Sequence, residues 1–219
     1  MPTHAHKTAG VPTLKRFPLY LRVLRRMQAE GSTYASGAAV ARELGLDPIV
    51  VRKDLAITGT VGRPRLGFQM EEIITAIENF LGWSNTTDAV LVGVGNLGTA
   101  LLGYTGFEQY GMRIVAAFDA NPALVGTKIN RMKVLDIKKM PALVKRMHIQ
   151  IGVITVTASV AQSVADEMIA GGIRGIWNFT PTKLTVPSDV ILQREDLASS
   201  LAVLSHRLLV GTTPARKRL

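Results

Sequence analysis

The sequence predicts an α/β protein in two parts, a helical N-terminal third and a parallel-sheet domain, finished by a separate C-terminal helix. Three observations carry that prediction. Apolar residues recur at helical spacing across much of residues 13–81, and short β-branched runs alternate with helical stretches from Asp88 onward. The charge is also lopsided. Within a net charge of +10, residues 1–68 hold eleven Lys/Arg against four Asp/Glu, residues 69–210 hold twelve against twelve, and residues 211–219 hold three against none. A basic first third beside a neutral remainder suggests one domain that meets a polyanion, with solvated faces that aid solubility as the alternative on charge alone.

The chain has 219 residues, 47% of them hydrophobic and 5% aromatic, so Leu, Val, Ile and Ala must fill the core. It has no cysteine, which excludes a disulfide framework, a zinc ribbon and a thiol nucleophile. The polar start from Met1 to Gly10 lacks the apolar centre of a signal peptide, and no apolar stretch is long enough to span a membrane. A cytoplasmic location is expected. No His/Asp/Glu cluster has metal-ligand spacing, so no metal is expected.

In order along the chain, Thr13 to Ala29 is expected as a helix, with Leu14, Phe17, Leu21 and Leu24 on one stripe and Pro18 in its first turn. Ser36 can cap a short second helix through Leu44, with Val40 and Leu44 inward. Gly45-Leu46 makes a tight turn. Asp47 then caps a third helix that starts on Pro48, runs to about Ile57 and points Val51 and Leu55 inward. Residues 59–68, with three glycines and a proline, read as a hairpin or loop that carries Arg63 and Arg65. Met70 to Leu81 is an amphipathic helix, and Ser84 to Thr87 a polar linker. Ala89–Val92, Arg113–Phe118, Ile151–Val156 and Gly175–Asn178 are expected as buried parallel strands, with lesser strands at Lys133–Leu135 and at Pro187 to Leu192. Asp196 caps a last helix whose Leu197, Leu201, Leu204 and Leu208 form one stripe. The expected boundaries are 1–83, 84–194 and 195–219.

The strongest motif is Gly93-Val94-Gly95-Asn96-Leu97-Gly98, which follows a strand and opens a helix. In a dinucleotide site the first glycine permits the tight turn, the second lets the backbone approach a pyrophosphate, and the third lets the helix pack on the strand. The helix start offers free N–H groups to the anion. Asp119, at the end of the next strand, has the spacing of an acid that binds the adenosine ribose hydroxyls. A carboxylate there repels a 2′-phosphate, and Ala120-Asn121-Pro122 bring no arginine, so NAD(H) is expected over NADP. In the first third, three helices with a tight turn before the third, then a basic glycine-rich hairpin, describe a winged helix-turn-helix. Arg52 and Lys53 would face DNA from the recognition helix, and Arg63 and Arg65 from the wing.

With both parts in place, the chain resembles the Rex family of redox-sensing transcriptional repressors from about Leu14 to Leu209. The motifs that carry the resemblance are Tyr20-Leu21-Arg22, Val51-Arg52-Lys53-Asp54-Leu55 and Leu66-Gly67-Phe68, then the glycine turn, Tyr104 with Gly106-Phe107, and Phe118-Asp119. Further on stand Ala170-Gly171-Gly172-Ile173, Asn178-Phe179-Thr180-Pro181, Leu184-Thr185-Val186-Pro187 and Asp196-Leu197. The resemblance implies a Rossmann-like NAD(H) domain and a homodimer joined by a swapped C-terminal helix. It implies a repressor that holds a palindromic double-stranded operator when free or bound to NAD⁺ and lets go on binding NADH. It places Thr155, Val156, Asn178, Phe179 and Pro181 about the cofactor, and it has Asp196 reach across the dimer to pair with Arg22 in one redox state and Tyr104 in the other. The sequence departs from the family at Leu197, where many members have an aromatic residue, at Arg63-Pro64-Arg65 in the wing, at Ala56-Ile57-Thr58 and at Thr155-Val156-Thr157.

An NAD-dependent dehydrogenase, or an accessory protein that binds CoA or another nucleotide, would use the same scaffold. The dehydrogenase needs a proton donor beside the nicotinamide, and the sequence offers no Tyr-x-x-x-Lys pair and no His near a strand end with an acid partner. The remaining candidates read as inert: His4 and His6 in a flexible tail, His148 and His206 as surface groups, and Lys138, Lys139, Lys145 and Arg146 as a solvated face; Arg216-Lys217-Arg218 is expected as a disordered tail that adds nonspecific phosphate attraction.

Overall fold

A computed structural model describes residues 8–211. His4, His6 and the 216–218 basic run lie outside the described residues. The chain divides between Asn85 and Thr86 into two compact units.

Unit 1 opens with α1 (Val11–Ala29), then β1 (Tyr34–Ala35), α2 (Gly37–Leu44) and α3 (Pro48–Ile57). It closes with β2 (Phe68–Gln69) and α4 (Met70–Leu81). The capping chemistry sets the ends. The Ser36 hydroxyl accepts the Ala39 N–H at 3.0 Å, and Asp47 accepts the Ile49 N–H at 2.6 Å, each cap contributing roughly 1 kcal/mol. Gly45 sits at φ +64°, the left-handed turn that ends α2 just before α3. The core gathers Phe17, Tyr20, Leu21, Leu24, Val40, Val51, Leu55, Ile73 and Ile77.

Three expectations shift here. α1 starts at Val11 rather than Thr13, because Pro12 needs no N–H partner in the first turn. Leu14 is 38% exposed, and the fully buried Tyr20 takes its expected place in the core. β1, which the sequence did not suggest, pairs antiparallel with β2 and so ties the base of the wing to the start of α2.

The Tyr20 hydroxyl belongs to a buried network on Asp54 of α3. It donates to Asp54 Oδ2 at 2.7 Å, Arg16 donates from Nε to Oδ2 at 2.7 Å and from its terminal nitrogen to Oδ1 at 2.9 Å, and Thr13 Oγ1 donates to Oδ1 at 3.0 Å. Burial alone would push the Asp54 carboxyl up, but the hydrogen bonds from Arg16, Tyr20 and Thr13 outweigh it and hold it below the usual range. Burial, reinforced by the Asp54 carboxylate, pushes the Tyr20 phenol up to about 12. Two limbs in the pH dependence of stability are expected. The Asp54 contribution is complete above about pH 4, where an unfolded aspartate is ionised, and is lost as acid protonates the folded carboxylate. The Tyr20 contribution is complete below about pH 10 and is lost as the pH rises toward 12. Melting curves across pH should show both limbs, with Asp54→Asn flattening the acid one and Tyr20→Phe the alkaline one.

Unit 2 runs β3 (Thr87–Val92), α5 (Asn96–Leu102), β4 (Met112–Asp119), β5 (Lys128–Ile129) and β6 (Met132–Asp136), then α6 (Met140–Met147) and β7 (Ile151–Ile154). It ends with α7 (Ala161–Gly171), β8 (Gly175–Asn178), β9 (Ile191–Arg194) and α8 (Leu197–Leu209). The sheet order is β5-β6-β4-β3-β7-β8-β9, parallel throughout except for β5 against β6. Leaving β5 aside, this is the doubly wound order of a Rossmann fold, which reverses between β3 and β7. Alternate side chains face opposite layers. Val90, Val92, Ala116 and Phe118 pack on Met140, Val144, Val164 and Met168 of α6 and α7. Leu91, Ala117 and Val153 pack under Leu101 and Leu102 of α5, with Trp177 and Phe179 beside them. β7 ends at Ile154, short of the expected Val156. The last strand is Ile191–Arg194 instead of the stretch from Pro187 to Leu192, since Val190 is the buried residue that fixes the loop and the edge strand itself is mostly exposed.

Candidate functional site

The glycine turn lies at the C-terminal edge of the sheet, where the strand order reverses, and its three glycines differ in what surrounds them. Gly93 has φ +98°, and a Cβ there would lie 2.8 Å from the backbone of Thr155 and Val156. Gly98 is tighter still, since a Cβ would fall 2.0 Å from the Gly93 carbonyl oxygen. Gly95 has nothing within 4 Å of its Cβ position. Two glycines are therefore needed by the protein's own packing, while the middle one keeps open space in front of the backbone, as a pyrophosphate requires.

Neighbouring side chains lock the turn. Asp119 Oδ2 accepts the Val94 N–H at 2.7 Å, and Oδ1 accepts the Asn121 N–H at 2.8 Å. Each oxygen keeps further acceptor capacity for a hydroxyl. Just past the end of β7, Thr155 Oγ1 donates to the Gly93 carbonyl at 2.6 Å and contacts the Val92 carbonyl at 3.1 Å. Gly93, Gly95, Asp119, Thr155 and Val156 line one cleft of about 440 Å³. Its other walls are Leu124, Ile137, Val160 and Val164, with Asn121, Thr157, Ser163 and Glu167 as polar edges. These wall residues were missed by sequence reasoning, because scattered aliphatics look like any core position. Two acids and no base line the cleft, a charge pattern that suits a ribose diol and opposes an extra phosphate.

Val94, Asn96, Leu97 and Gly98 lie in the same turn and helix start without lining the cleft, and neither do Asn178, Phe179 and Pro181. Asn178 is fully buried, and its amide is consumed locally. Oδ1 accepts the Thr180 N–H at 2.9 Å, and Nδ2 donates to the Thr182 carbonyl at 3.0 Å. Phe179 packs against Trp177 at 4.8 Å between ring centroids, in an aromatic row continued by Phe107 and Tyr104.

Asp196 caps α8. Its Oδ1 accepts the Ala198 N–H at 3.0 Å, and Oδ2 accepts the Ser199 hydroxyl at 2.9 Å. The Ser199 hydroxyl foremost, then the backbone N–H groups and Arg194, hold this carboxyl below the usual range. Tyr104 is 52% exposed, and Arg22 is exposed on α1. Along α8 every described side chain is exposed, Leu201, Leu204 and Leu208 among them.

In unit 1, Arg52, Arg63 and Arg65 line one groove of about 550 Å³ together with Ser36, Pro48 and Phe68, and no acid lines it. The Arg52 stem lies against Gly37, where a Cβ would meet it at 2.8 Å. Arg63 is held in place, donating to the Tyr34 hydroxyl at 2.9 Å with its guanidinium 5.6 Å from the ring centroid. Lys53 is exposed on α3 but does not line the groove. Among the described residues no group of three or more acids and histidines could hold a metal ion, and no helix is long and apolar enough to cross a membrane.

The CoA binding domain family matches residues 84–182, and the family described as putative DNA-binding protein N-terminus matches residues 10–56. The redox-sensing transcriptional repressor Rex of Treponema denticola is 43% identical over 198 residues, covering 90% of this chain and 94% of that one. Its counterpart in Bacteroides fragilis is 40% identical and covers 90% of each chain. Among solved structures, RSP in complex with β-NAD⁺ and operator DNA matches with a TM-score of 0.87 at 33% identity, over 92% of this chain and 93% of that one. RSP in complex with β-NADH matches at 0.82 and 33%, over 91% and 94%.

Proposed function

The chain belongs to the Rex family of redox-sensing transcriptional repressors, and from that membership we propose how its own residues perform the task. It is a DNA-binding repressor that senses NADH against NAD⁺, a regulator rather than an enzyme, and it acts in the cytoplasm, where operator DNA and the nucleotide pool meet. One observation carries the reading. A single chain holds both a groove lined by three arginines and no acid, and a dinucleotide cleft lined by two acids and no base.

NAD(H) binds with its pyrophosphate over Gly93 to Gly98, packed closest at Gly95, and with its adenosine ribose on Asp119. Thr155 and Val156 shape the cleft floor. Asn178, Phe179 and Pro181 act from the end of β8, Asn178 by holding the loop in shape. Arg52, Lys53, Arg63 and Arg65 contact operator DNA. The protein is a homodimer joined through α8, an idea supported by two apolar surfaces that stay at least partly open among the described residues. One is the leucine face of α8. The other is the sheet layer of Trp177 and Phe179, where Ile191 is 75% exposed. A partner's α8 laid on that layer buries both. Asp196 then reaches Arg22 or Tyr104 across the dimer. Reduction removes one positive charge from the nicotinamide, and the ionised Asp196 carboxylate is the group that responds by changing partner. A differential affinity of a few kcal/mol between two dimer states is enough to switch.

Nucleotide titration tests the cofactor reading. NADH is expected to bind at least about tenfold more tightly than NADPH, from the carboxylate at Asp119, and CoA to bind more weakly than NADH. Equal affinity for NADPH would contradict the role given to Asp119, and tighter binding of CoA would favour a CoA-binding protein. Sustained NADH production from NAD⁺ and assorted alcohols or hydroxy acids would overturn the regulator reading in favour of a dehydrogenase. Arg52→Ala is expected to weaken operator binding by roughly 10- to 100-fold while leaving NADH affinity unchanged.

A further inference from the structure

Asp54 is the one charged side chain among the described residues that is buried, and it sits in α3 beside Arg52 and Lys53. All of its side-chain donors come from α1. Thr13, Arg16 and Tyr20 are spaced i, i+3 and i+7, so they share one helix face, and they fill both carboxylate oxygens with four hydrogen bonds of 2.7–3.0 Å. Two of those bonds form a planar fork between guanidinium and carboxylate, the geometry that tolerates least rotation. The donors also brace one another, with Arg16 bonding the Tyr20 hydroxyl at 3.2 Å and Thr13 Oγ1 at 3.1 Å.

A buried ion pair is a poor way to add stability, since an apolar replacement of similar volume is often as stable or more so. α3 also packs along α2, where the Arg52 stem lies against Gly37, and it buries Val51 and Leu55, aliphatic side chains whose packing tolerates small rotations of the helix. What the charged fork adds is direction. A fork of this kind resists a roll of α3 about its own axis, and Arg52 and Lys53 project from that same helix. α1 is tied to the other helices as well, by Arg25 to Glu78 of α4 at 2.7 Å and by Arg26 to Glu43 of α2. The Arg25 pair is half-buried and the Arg26 pair is exposed, where screening makes it weak, and neither reaches α3.

We propose that Asp54, with Arg16 and Tyr20, is a positioning site that sets the orientation of the DNA-reading helix, so that its loss costs operator specificity more than it costs folding or general DNA affinity. The inference rests on the reading of α3 as the helix that contacts DNA.

The test uses the full chain, a duplex selected by the wild-type protein from a random-sequence pool, and a scrambled duplex of equal length. The decisive variant is the apolar pair Arg16→Met with Asp54→Leu made on a Tyr20→Phe background, which removes both charges together and leaves no Tyr20 hydroxyl buried without a partner. Its melting temperature and NADH affinity are expected to stay close to wild type, while the ratio of selected to scrambled affinity falls at least about tenfold through loss on the selected duplex. Tyr20→Phe, which keeps the ion pair and removes one hydrogen bond, should lower the ratio by a smaller factor and holds the test open if the apolar pair fails to fold. An unchanged ratio in whichever variants fold overturns the proposal and leaves Asp54 a structural residue. A wild-type protein that selects no duplex refutes instead the reading of α3 on which the proposal stands.

Discussion

Replacing Gly95 with valine is expected to give a folded repressor that has lost its response to NADH. Nothing lies within 4 Å of a Cβ at this position, and φ −73° with ψ −165° suits any L-residue, so the melting temperature should hold. The new side chain instead fills the space a pyrophosphate needs, and NADH affinity should drop by about 100-fold, near 2.7 kcal/mol. Operator binding should persist, now indifferent to nucleotide. Gly98→Ala makes the contrast, since its Cβ would meet the Gly93 carbonyl at 2.0 Å and force helix α5 off strand β3. That variant should lose about 3 kcal/mol of stability or more as well as nucleotide binding. Fluorescence titration with NADH beside thermal melts separates the two. A Gly95→Val protein that binds NADH as tightly as wild type would mean the nucleotide does not pack on this turn.

Leu204→Glu combined with Leu208→Glu should take apart the dimer proposed through α8. Both side chains are more than half exposed in the single chain, at 56% and 72%, so the substitutions disturb no packing within it. Two carboxylates in a buried leucine seam are far costlier than two on an open surface. Light scattering at micromolar concentration should report a monomer, and operator affinity should fall by roughly 100-fold or more, because a palindromic site is held by two recognition helices acting together. NADH binding to Asp119 and the glycine turn should change much less. A dimer that survives both substitutions would place the interface somewhere other than α8.

The parts of this fold legible in the sequence are those specified by local chemistry. Asp47-Pro48 marks the start of α3, and the structure begins the helix there. The Ile-rich periodicity of α4 gives both of its ends. The strand, glycine turn and acid of the nucleotide cleft follow from spacing alone, because Gly93 and Gly98 answer steric demands of the fold that no other residue meets and Gly95 keeps the backbone open in front of the turn. What stayed hidden depends on distant partners. β1 is two residues long and exists because β2 pairs with it. β9 is an exposed edge strand with no apolar pattern to betray it, and the buried Val190 just before it draws attention to the wrong stretch. Tyr20 is buried because its hydroxyl meets an aspartate thirty-four positions away. Asp54 itself stood within the motif that suggested DNA binding, yet nothing in the local sequence separates a buried acid on the inner face of a helix from a solvated one.

Arg63 shows a subtler limit. Composition placed it on a basic wing, and it is there, but its guanidinium also bonds and stacks on Tyr34, so it braces the wing as well as presenting charge. Substitution of Arg63 therefore mixes two effects that substitution of the free-standing Arg65 does not.

The most direct test of the account is a gel shift on palindromic operator DNA, at fixed salt, titrated in parallel with NADH and NAD⁺. Salt must be held because binding through arginines to phosphate falls steeply as ions are added. The account predicts a protein–DNA complex that is stable to NAD⁺ and is lost as NADH approaches saturation. A complex unchanged at saturating NADH would contradict it, leaving a DNA-binding protein whose dinucleotide cleft has no say in repression.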